Sequence, residues 1–294
     1  MSEKLKNKPG KPSAQNQPVN VSDDSKKINI PNKEIGTIQM FFEEILKLRA
    51  MGFTFFRGDK KVEDYKLIPN IFKGANYKLS DIEDIMIDEF TSLSVNKNMY
   101  NTNSYIEEML MAQHYELPTR LQDWSESALT ALYFSVFEND EKDRKFDSYL
   151  WALNPEELNK HINFLDKRKL VPNIISSSID KDVEDKINEF YVKENDTEVI
   201  SYPIALNARK INPRIEAQRG VFVFFPRQKK LSKCICLTKY DDSENFLFRF
   251  DIKKDVAATF LNYLQNAGIN QYLLFPEMRS IAKDIKAKYE KKVK

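Results

Sequence analysis

Residues 111–137 constrain this chain most, because they set several charged side chains directly against a long apolar segment. His114, Arg120 and Asp123 lie close together, and the residues after Trp124 have the spacing of a buried helix. Charged groups beside so much apolar surface are costly unless they find partners or a ligand. Two interpretations follow: an internal Arg120–Asp123 pair that ties a loop to a helix, or a ligand site.

Composition places the chain among globular proteins with one substantial core. Of 294 residues, 41% are hydrophobic and 12% aromatic, and the net charge is only +2. This balance leaves no electrostatic footprint for nucleic acid, apart from a Lys-rich N-terminus that is either a solvated tail or a nucleic-acid contact. Two cysteines one residue apart argue against a disulfide framework and a thiolate metal site. No apolar run is long enough to span a membrane and no signal peptide is visible, so we expect a cytoplasmic protein without a membrane partner.

The chain divides by composition into a tail and one domain. Residues 1–33 contain no Phe, Tyr or Trp but several prolines, which predicts a disordered tail. Residues 34–294 form the predicted domain, with a polar insertion at 167–198. Strands and helices follow one another without regular βαβ alternation, which favours the α+β class.

Periodicity and end residues predict the individual elements. Helices are predicted at 35–48, 80–90, 105–115, from 126 onward, at 182–192, at 256–265 and at the Lys-rich C-terminus. Strands are predicted at 53–56, 149–153, 200–206, 221–225 and 246–252. Ser80 and Glu83 have the spacing of a capping box, and Ser125 is the predicted cap of the following helix. Arg57 is expected where the first strand ends.

Known catalytic motifs are absent from the sequence. There is no phosphate-binding glycine loop, no GxSxG and no HExxH. The chain has two histidines and no tight carboxylate cluster, so no metal is expected. What remains is a set of hydrogen-bond donors: Arg57, His114, Arg120, Arg214 and Gln218. Arginines that converge on a cleft suit a phosphate or diphosphate, because guanidinium groups match its oxygens with paired hydrogen bonds.

Aromatic residues nearby offer a second binding element, since Trp124 or Tyr115 could stack on a base or a nicotinamide ring. The alternative for the arginines is that they pair at the surface, Arg57 with Asp59 and Arg214 with Glu216.

Several short motifs in this sequence occur together in one known family. They are Phe56-Arg57-Gly58, residues 67–72, Ala112-Gln113-His114-Tyr115, residues 118–121, Asp123-Trp124, residues 131–134, residues 213–220 and residues 268–276. In this order they resemble the FRG domain family. The chain departs from that pattern at Glu116, where a glycine is usual, at Gln122, where a leucine is usual, and at residues 277–280.

A weaker resemblance is to the ADP-ribosyltransferase scaffold, which implies a mixed split sheet with surrounding helices. Arg57 and Gly58 match the arginine motif at its first strand, and this resemblance implies that Arg57 holds the phosphate–ribose part of NAD. Thr119 would then mark the scaffold strand. Gly220 stands where the catalytic glutamate is expected, and Glu216, His114 or Asp123 are the residues that could replace that group.

The sequence therefore predicts a nucleotide cleft, with NAD as the implied cofactor of a transferase or hydrolase. Its predicted binding residues are Arg57, Gly58, Tyr115, Thr119, Arg120, Trp124 and Arg214, and its predicted catalytic residues are His114, Asp123, Gln218 and Glu216. Arg120 is expected to face the cleft, with Asp123 positioning it. The alternative is a non-catalytic module that binds a nucleotide or nucleic acid, which the FRG resemblance associates with bacterial defence or mobile elements. A protein–protein scaffold is the third interpretation.

Overall fold

The computed structural model describes most of the predicted domain. The described residues are 29–61, 67–94, 104–137, 146–165, 171–174, 178–192, 202–208, 210, 212–226, 236–240 and 242–277. The predicted C-terminal helix, most of the predicted tail and parts of the predicted insertion lie outside these ranges. No helix among the described residues is long and apolar enough to cross a membrane.

Strands and helices alternate irregularly along the described chain. The strands are β1 (Asn32–Glu34), β2 (Phe55–Lys60), β3 (Leu121–Ser125), β4 (Ser148–Leu153), β5 (Asn173–Ile174), β6 (Ile204–Ala208), β7 (Gly220–Phe224) and β8 (Leu247–Ile252). The helices are α1 (Ile38–Ala50), α2 (Glu83–Ser94), α3 (Tyr105–His114), α4 (Ala128–Val136), α5 (Pro155–Asn159), α6 (Ser178–Ile187), α7 (Pro213–Ala217), α8 (Ser243–Phe246), α9 (Lys254–Asn266) and α10 (Gln271–Leu274). β1 begins inside the predicted tail.

All strands belong to one mixed sheet, which confirms the α+β class. Its order is β1-β8-β4-β2-β3-β7-β6-β5. β1 runs parallel to β8 and β5 parallel to β6, while the other neighbours are antiparallel. β2 pairs with β4 along its whole length, but it meets β3 only at Phe56 and Ser125. The sheet is therefore split between β2 and β3.

Three hydrophobic clusters hold the helices on this sheet. The first packs α1, α4 and α9 on the β2 half, around Phe41, Leu132 and Phe260. The second joins α3 to β7 on the other half, and the third lies around Trp124 and Trp151. The packing is closest where α4 crosses β2, since a Cβ at Gly58 would stand 2.0 Å from the carbonyl oxygen of Ala131. Gly58 thus lets α4 pack directly against β2.

Three local predictions are wrong in detail. Arg57 lies inside β2 rather than at its end, because that strand continues to Lys60. The predicted capping box does not form: α2 begins at Glu83, whose carboxylate is held by Arg120. Ser125 is the last residue of β3, and Ser127 caps α4 by accepting a hydrogen bond from the amide of Thr130.

Candidate functional site

A cavity of about 390 Å³ opens where β2 and β3 separate. β2 contributes residues 56–60 and β3 contributes residues 123–125. The end of α3, the middle of α4, the α7 turn and the start of β7 complete the wall. The cavity brings together seven residues that sequence analysis singled out: Arg57, Gly58, His114, Asp123, Trp124, Arg214 and Gln218. Two stretches far apart in sequence therefore meet at one site.

Arg57 is held by groups on both lips of the split. Its Nε lies 2.7 Å from Oδ2 of Asp59 and its Nη2 lies 3.0 Å from Oδ1, so the pair is bidentate. Its Nη1 donates to the backbone carbonyl of Asp123 at 2.6 Å. The Arg57–Asp59 pair is the alternative that the sequence left open for this arginine. Arg57 therefore bridges β2 and β3 at the point where they diverge.

Asp123 is the carboxylate of the cavity that arises from β3. Its Oδ1 accepts a hydrogen bond from Nε2 of Gln113 at 2.6 Å. The side chain of Asp123 is exposed where it lines the cavity, although many protein atoms stand around it. This burial raises the pKa of the Asp123 carboxyl, while Arg57, the Gln113 amide and Arg214 oppose the rise. The ionised form of Asp123 is therefore disfavoured in the folded protein, and perturbed carboxyl groups of this kind are typical of functional sites.

Arg214 and His114 also line the cavity. The guanidinium of Arg214 lies over the ring of Phe275, 4.8 Å from its centroid. The described residues give Arg214 this ring and no carboxylate within salt-bridge distance. Burial and the charge of Arg214 lower the pKa of His114, against the opposing effect of Glu277. His114 is therefore favoured as neutral imidazole at neutral pH.

Gln218 connects α10 to the wall of the cavity through hydrogen bonds. Its Nε2 donates to the carbonyl of Leu274 at 2.9 Å, and its own carbonyl accepts the hydroxyl of Ser125 at 2.6 Å. Phe275 follows Leu274, and its ring packs edge to face on the ring of Phe134, with 5.8 Å between the ring centroids. The side-chain amide of Gln218 is therefore engaged in holding α10, although the residue lines the cavity.

Arg120 is expected from the sequence to face the cleft, and the structure places it in the core instead. Its side chain is 1% exposed, and it donates to the buried carboxylate of Glu83 and to the carbonyl of Tyr191. It does not pair with Asp123. Since Arg120 directly precedes β3 and Asp123 lies three positions later, strand alternation puts their side chains on opposite faces.

Four further residues stand away from the position that the sequence suggested. Trp124 is 3% exposed, packs in the third cluster and donates its indole N–H to Gln122, so its ring is not offered to a ligand. Thr119 is buried behind Gln113. Tyr115 is 51% exposed beside Phe90, and Glu216 is exposed on α7. The residues that line the cavity do not include Thr119, Tyr115 or Glu216.

The cavity lining also includes residues outside the predicted site, among them the polar side chains of Gln113, Asp59 and Lys60. Gln113 directly precedes His114, and Asp59 lies two positions after Arg57 on the same face of β2. Lys60 donates to the carbonyl of Ser135 at 2.7 Å. The spacing of Arg57 and Asp59 on one strand was the available indication for Asp59. No group of three or more metal-ligating side chains occurs among the described residues.

In the ADP-ribosyltransferase scaffold, the catalytic glutamate is expected at the position that Gly220 occupies in this chain. Gly220 opens β7 and lines the cavity, opposite Ser125. A Cβ at this position would lie 3.1 Å from Cγ2 of Ile215. A side chain here needs Ile215 to shift by a few tenths of an ångström, and the carboxylates that line the cavity are Asp59 on β2 and Asp123 on β3.

Comparison with known proteins adds a family and nothing more specific. The FRG domain family matches residues 53–144. No curated protein matches the chain, and no solved structure does. The matched range contains β2, β3, α3 and α4, and thus both lips of the split.

Proposed function

We propose that this chain, which carries an FRG domain at residues 53–144, uses the cavity of that domain to bind a nucleotide-type anionic ligand, with NAD as the first candidate. In its catalytic form the proposal is cleavage of the bond between ribose and nicotinamide, followed by transfer or hydrolysis. One observation carries it: the split between β2 and β3 sets the carboxylate of Asp123 within electrostatic reach of Arg57 and Arg214.

Arg214 is the best candidate for a phosphate group. Arg57 already shares its guanidinium between Asp59 and a backbone carbonyl, whereas Arg214 is held in place by the ring of Phe275. A guanidinium fixed by stacking keeps its N–H edge for other partners, and that edge matches phosphate oxygens. The volume of about 390 Å³ lies within the usual range for small-molecule sites.

Asp123 is the best candidate for the group that assists bond cleavage. When the bond between C1′ and the nicotinamide nitrogen breaks, its electron pair leaves with nicotinamide and positive charge develops on the ribose. A carboxylate held nearby stabilises that charge, and an oxygen of water or of an acceptor then bonds to C1′. His114 is the neutral neighbour that can accept the proton released by this oxygen.

Thermal melting with NAD tests the binding proposal. A ligand at 100 times its dissociation constant stabilises a single site by about 2.7 kcal/mol, which is an easily measured shift. We expect NAD to raise the melting temperature with or without EDTA, and Arg214→Ala to abolish the shift. Arg249→Ala is the matched control, because Arg249 also stacks on a ring, that of Tyr149 at 4.6 Å, but does not line the cavity.

Release of nicotinamide, measured chromatographically, tests the catalytic form. Release that disappears in Asp123→Asn supports an enzyme. A melting shift without release supports a non-catalytic nucleotide module. No shift with NAD, together with RNA or DNA binding that weakens with salt, would reject the nucleotide proposal in favour of nucleic acid.

A further inference from the structure

A short chain of hydrogen bonds ends on the cavity carboxylate. The amide N–H of Leu121 donates to Oγ1 of Thr119 at 3.3 Å, and the hydroxyl of Thr119 donates to Oε1 of Gln113. Nε2 of Gln113 then donates to Oδ1 of Asp123 at 2.6 Å. Three side chains from α3, the following loop and β3 are thus linked in series.

The direction of this chain is fixed at both ends. A backbone N–H can only donate, so Thr119 accepts at its start and has its own proton for Gln113. At the other end an ionised carboxylate can only accept. A reversed Gln113 amide would set its carbonyl oxygen against the carboxylate of Asp123. The amide therefore has one favourable orientation.

We propose that Gln113, oriented by Thr119, is a positioning residue that keeps Asp123 as a hydrogen-bond acceptor for a ribose hydroxyl of the ligand, an inference that rests on the nucleotide function proposed above. The phosphate of the ligand is repelled by Asp123 and lies toward Arg214. Sugar and phosphate are thereby assigned to different side chains of the cavity.

The other cavity carboxylate does not compete for the sugar. Asp59 is engaged by two nitrogens of Arg57, and the same arginine contacts the backbone of Asp123 and not its side chain. Gln113 engages Oδ1 of Asp123, and the carboxylate has a second oxygen, Oδ2, on a side chain that lines the cavity. A carboxylate oxygen binds a hydrogen-bond donor of the ligand, such as a hydroxyl group. A hydroxyl group close to a phosphate is characteristic of the sugar of a nucleotide.

The positioning role can be tested without a ligand, by titrating the carboxyl carbon of Asp123 in NMR spectra. Gln113→Leu and Thr119→Val each remove a link, and we expect each to raise the pKa of Asp123 by about one unit, as loss of a hydrogen bond to a charged group does. Thr119→Ser restores the hydroxyl and should restore the pKa. The charged and titratable groups around Asp123 are Arg57, Asp59, Lys60, Lys73, Arg214 and His114. His114 is followed through its own ring signals. An unchanged pKa in both Gln113→Leu and Thr119→Val would overturn the positioning role.

The sugar assignment is tested with NAD and the analogue whose nicotinamide ribose lacks its 2′-hydroxyl. We expect the wild-type protein to bind NAD about tenfold more tightly than the analogue, as loss of one hydrogen bond to a charged group predicts. The preference should vanish in Asp123→Ala and shrink in Gln113→Leu. Equal binding of both compounds by the wild-type protein would overturn the sugar assignment. If neither compound binds, the nucleotide function fails and the sugar assignment with it, while the titration still decides the role of Gln113.

Discussion

The guanidinium of Arg120 donates to the carboxylate of Glu83, and neither side chain is more than 1% exposed. The amide of Arg120 adds a second bond to Glu83 at 2.7 Å. Removal of one partner leaves a buried charge without its counter-ion, so Arg120→Ala and Glu83→Ala should each lower the free energy of unfolding by roughly 3–5 kcal/mol. Urea denaturation measures this. Glu157→Ala, which breaks an exposed pair with Lys160, is the control and should cost about 1 kcal/mol or less.

Gly58 and Gly36 differ in the space around them, so substitution of each by alanine tests whether α4 packs directly against β2. A Cβ at Gly58 would stand 2.0 Å from the carbonyl oxygen of Ala131 and 2.5 Å from the amide of Ser135, and both are backbone atoms that cannot swing away. Gly58→Ala should therefore cost about 3 kcal/mol or more by forcing α4 off β2. Gly36 has no atom within 4 Å of such a Cβ, so Gly36→Ala should leave the melting temperature nearly unchanged. Equal melting temperatures for the two variants would contradict the close packing.

Glu116 occupies a helix end that is built for glycine. Its φ is 71°, and the bonds Glu116 N to Gln113 O and Leu117 N to Ala112 O complete a Schellman motif after α3. Glu116→Gly should raise the free energy of unfolding by about 1 kcal/mol, since it removes left-handed strain from a residue with a Cβ. Gly268→Ala is the opposite test, because φ is 81° there and the space is open. It should lower stability by a similar amount in the same denaturation assay.

The pKa of Asp123 makes stability at this site depend on pH. Burial raises that pKa, so the folded state binds the proton more tightly than the unfolded state does. Stability from this group is therefore greatest at low pH and falls as pH rises through the folded-state pKa. Asp123→Asn removes the desolvated charge and should melt at a higher temperature than the wild type at neutral pH. The advantage should fade on acidification, and a constant difference across pH would contradict the raised pKa.

If the cavity binds a nucleotide as proposed, Asp59 competes with that ligand for Arg57. Asp59→Asn removes the charge that holds Nε and Nη2 of Arg57, so we expect NAD to bind about fivefold more tightly, which corresponds to about 1 kcal/mol. Calorimetric titration measures the change. Asp251→Asn is the matched control, because Asp251 pairs with Arg249 at the same spacing on β8 and does not line the cavity. Weaker binding in Asp59→Asn would show that the pair positions Arg57 for the ligand.

Periodicity placed most helices and five of the eight described strands within a few residues, because apolar spacing is a local property of the sequence. The partner of Arg120 could not be found in this way. Glu83 lies 37 positions earlier, in a helix whose first turn offered a local capping explanation, and Asp123 was the nearest carboxylate. Recognition of residues 121–125 as a strand would have excluded the Arg120–Asp123 pair and turned the ring of Trp124 away from Asp123.

Site residues were easier to anticipate when their motif also had a packing purpose. Phe56-Arg57-Gly58 is conspicuous because Gly58 admits α4, and Arg57 is carried to the split beside it. Gln113 shows no periodicity or charge of its own. Its importance comes from contacts with Thr119 and Asp123 that only the turn after α3 creates.

The single strand-pairing position between β2 and β3, Phe56 opposite Ser125, limits how this protein can be divided into fragments. The segment that the family recognises carries both rims of the cavity, yet β2 takes its support from β4 and β3 takes its support from β7, which both lie beyond residue 144. A fragment of residues 53–144 would expose the unpaired edges of β2 and β3 to solvent. Unpaired strand edges of this kind promote aggregation. The recognisable motif and the smallest cooperative folding unit are thus different stretches of the polypeptide. Deletions that remove β4 or β7 are therefore expected to unfold the sheet, so a loss of binding in such deletions would not identify the binding residues.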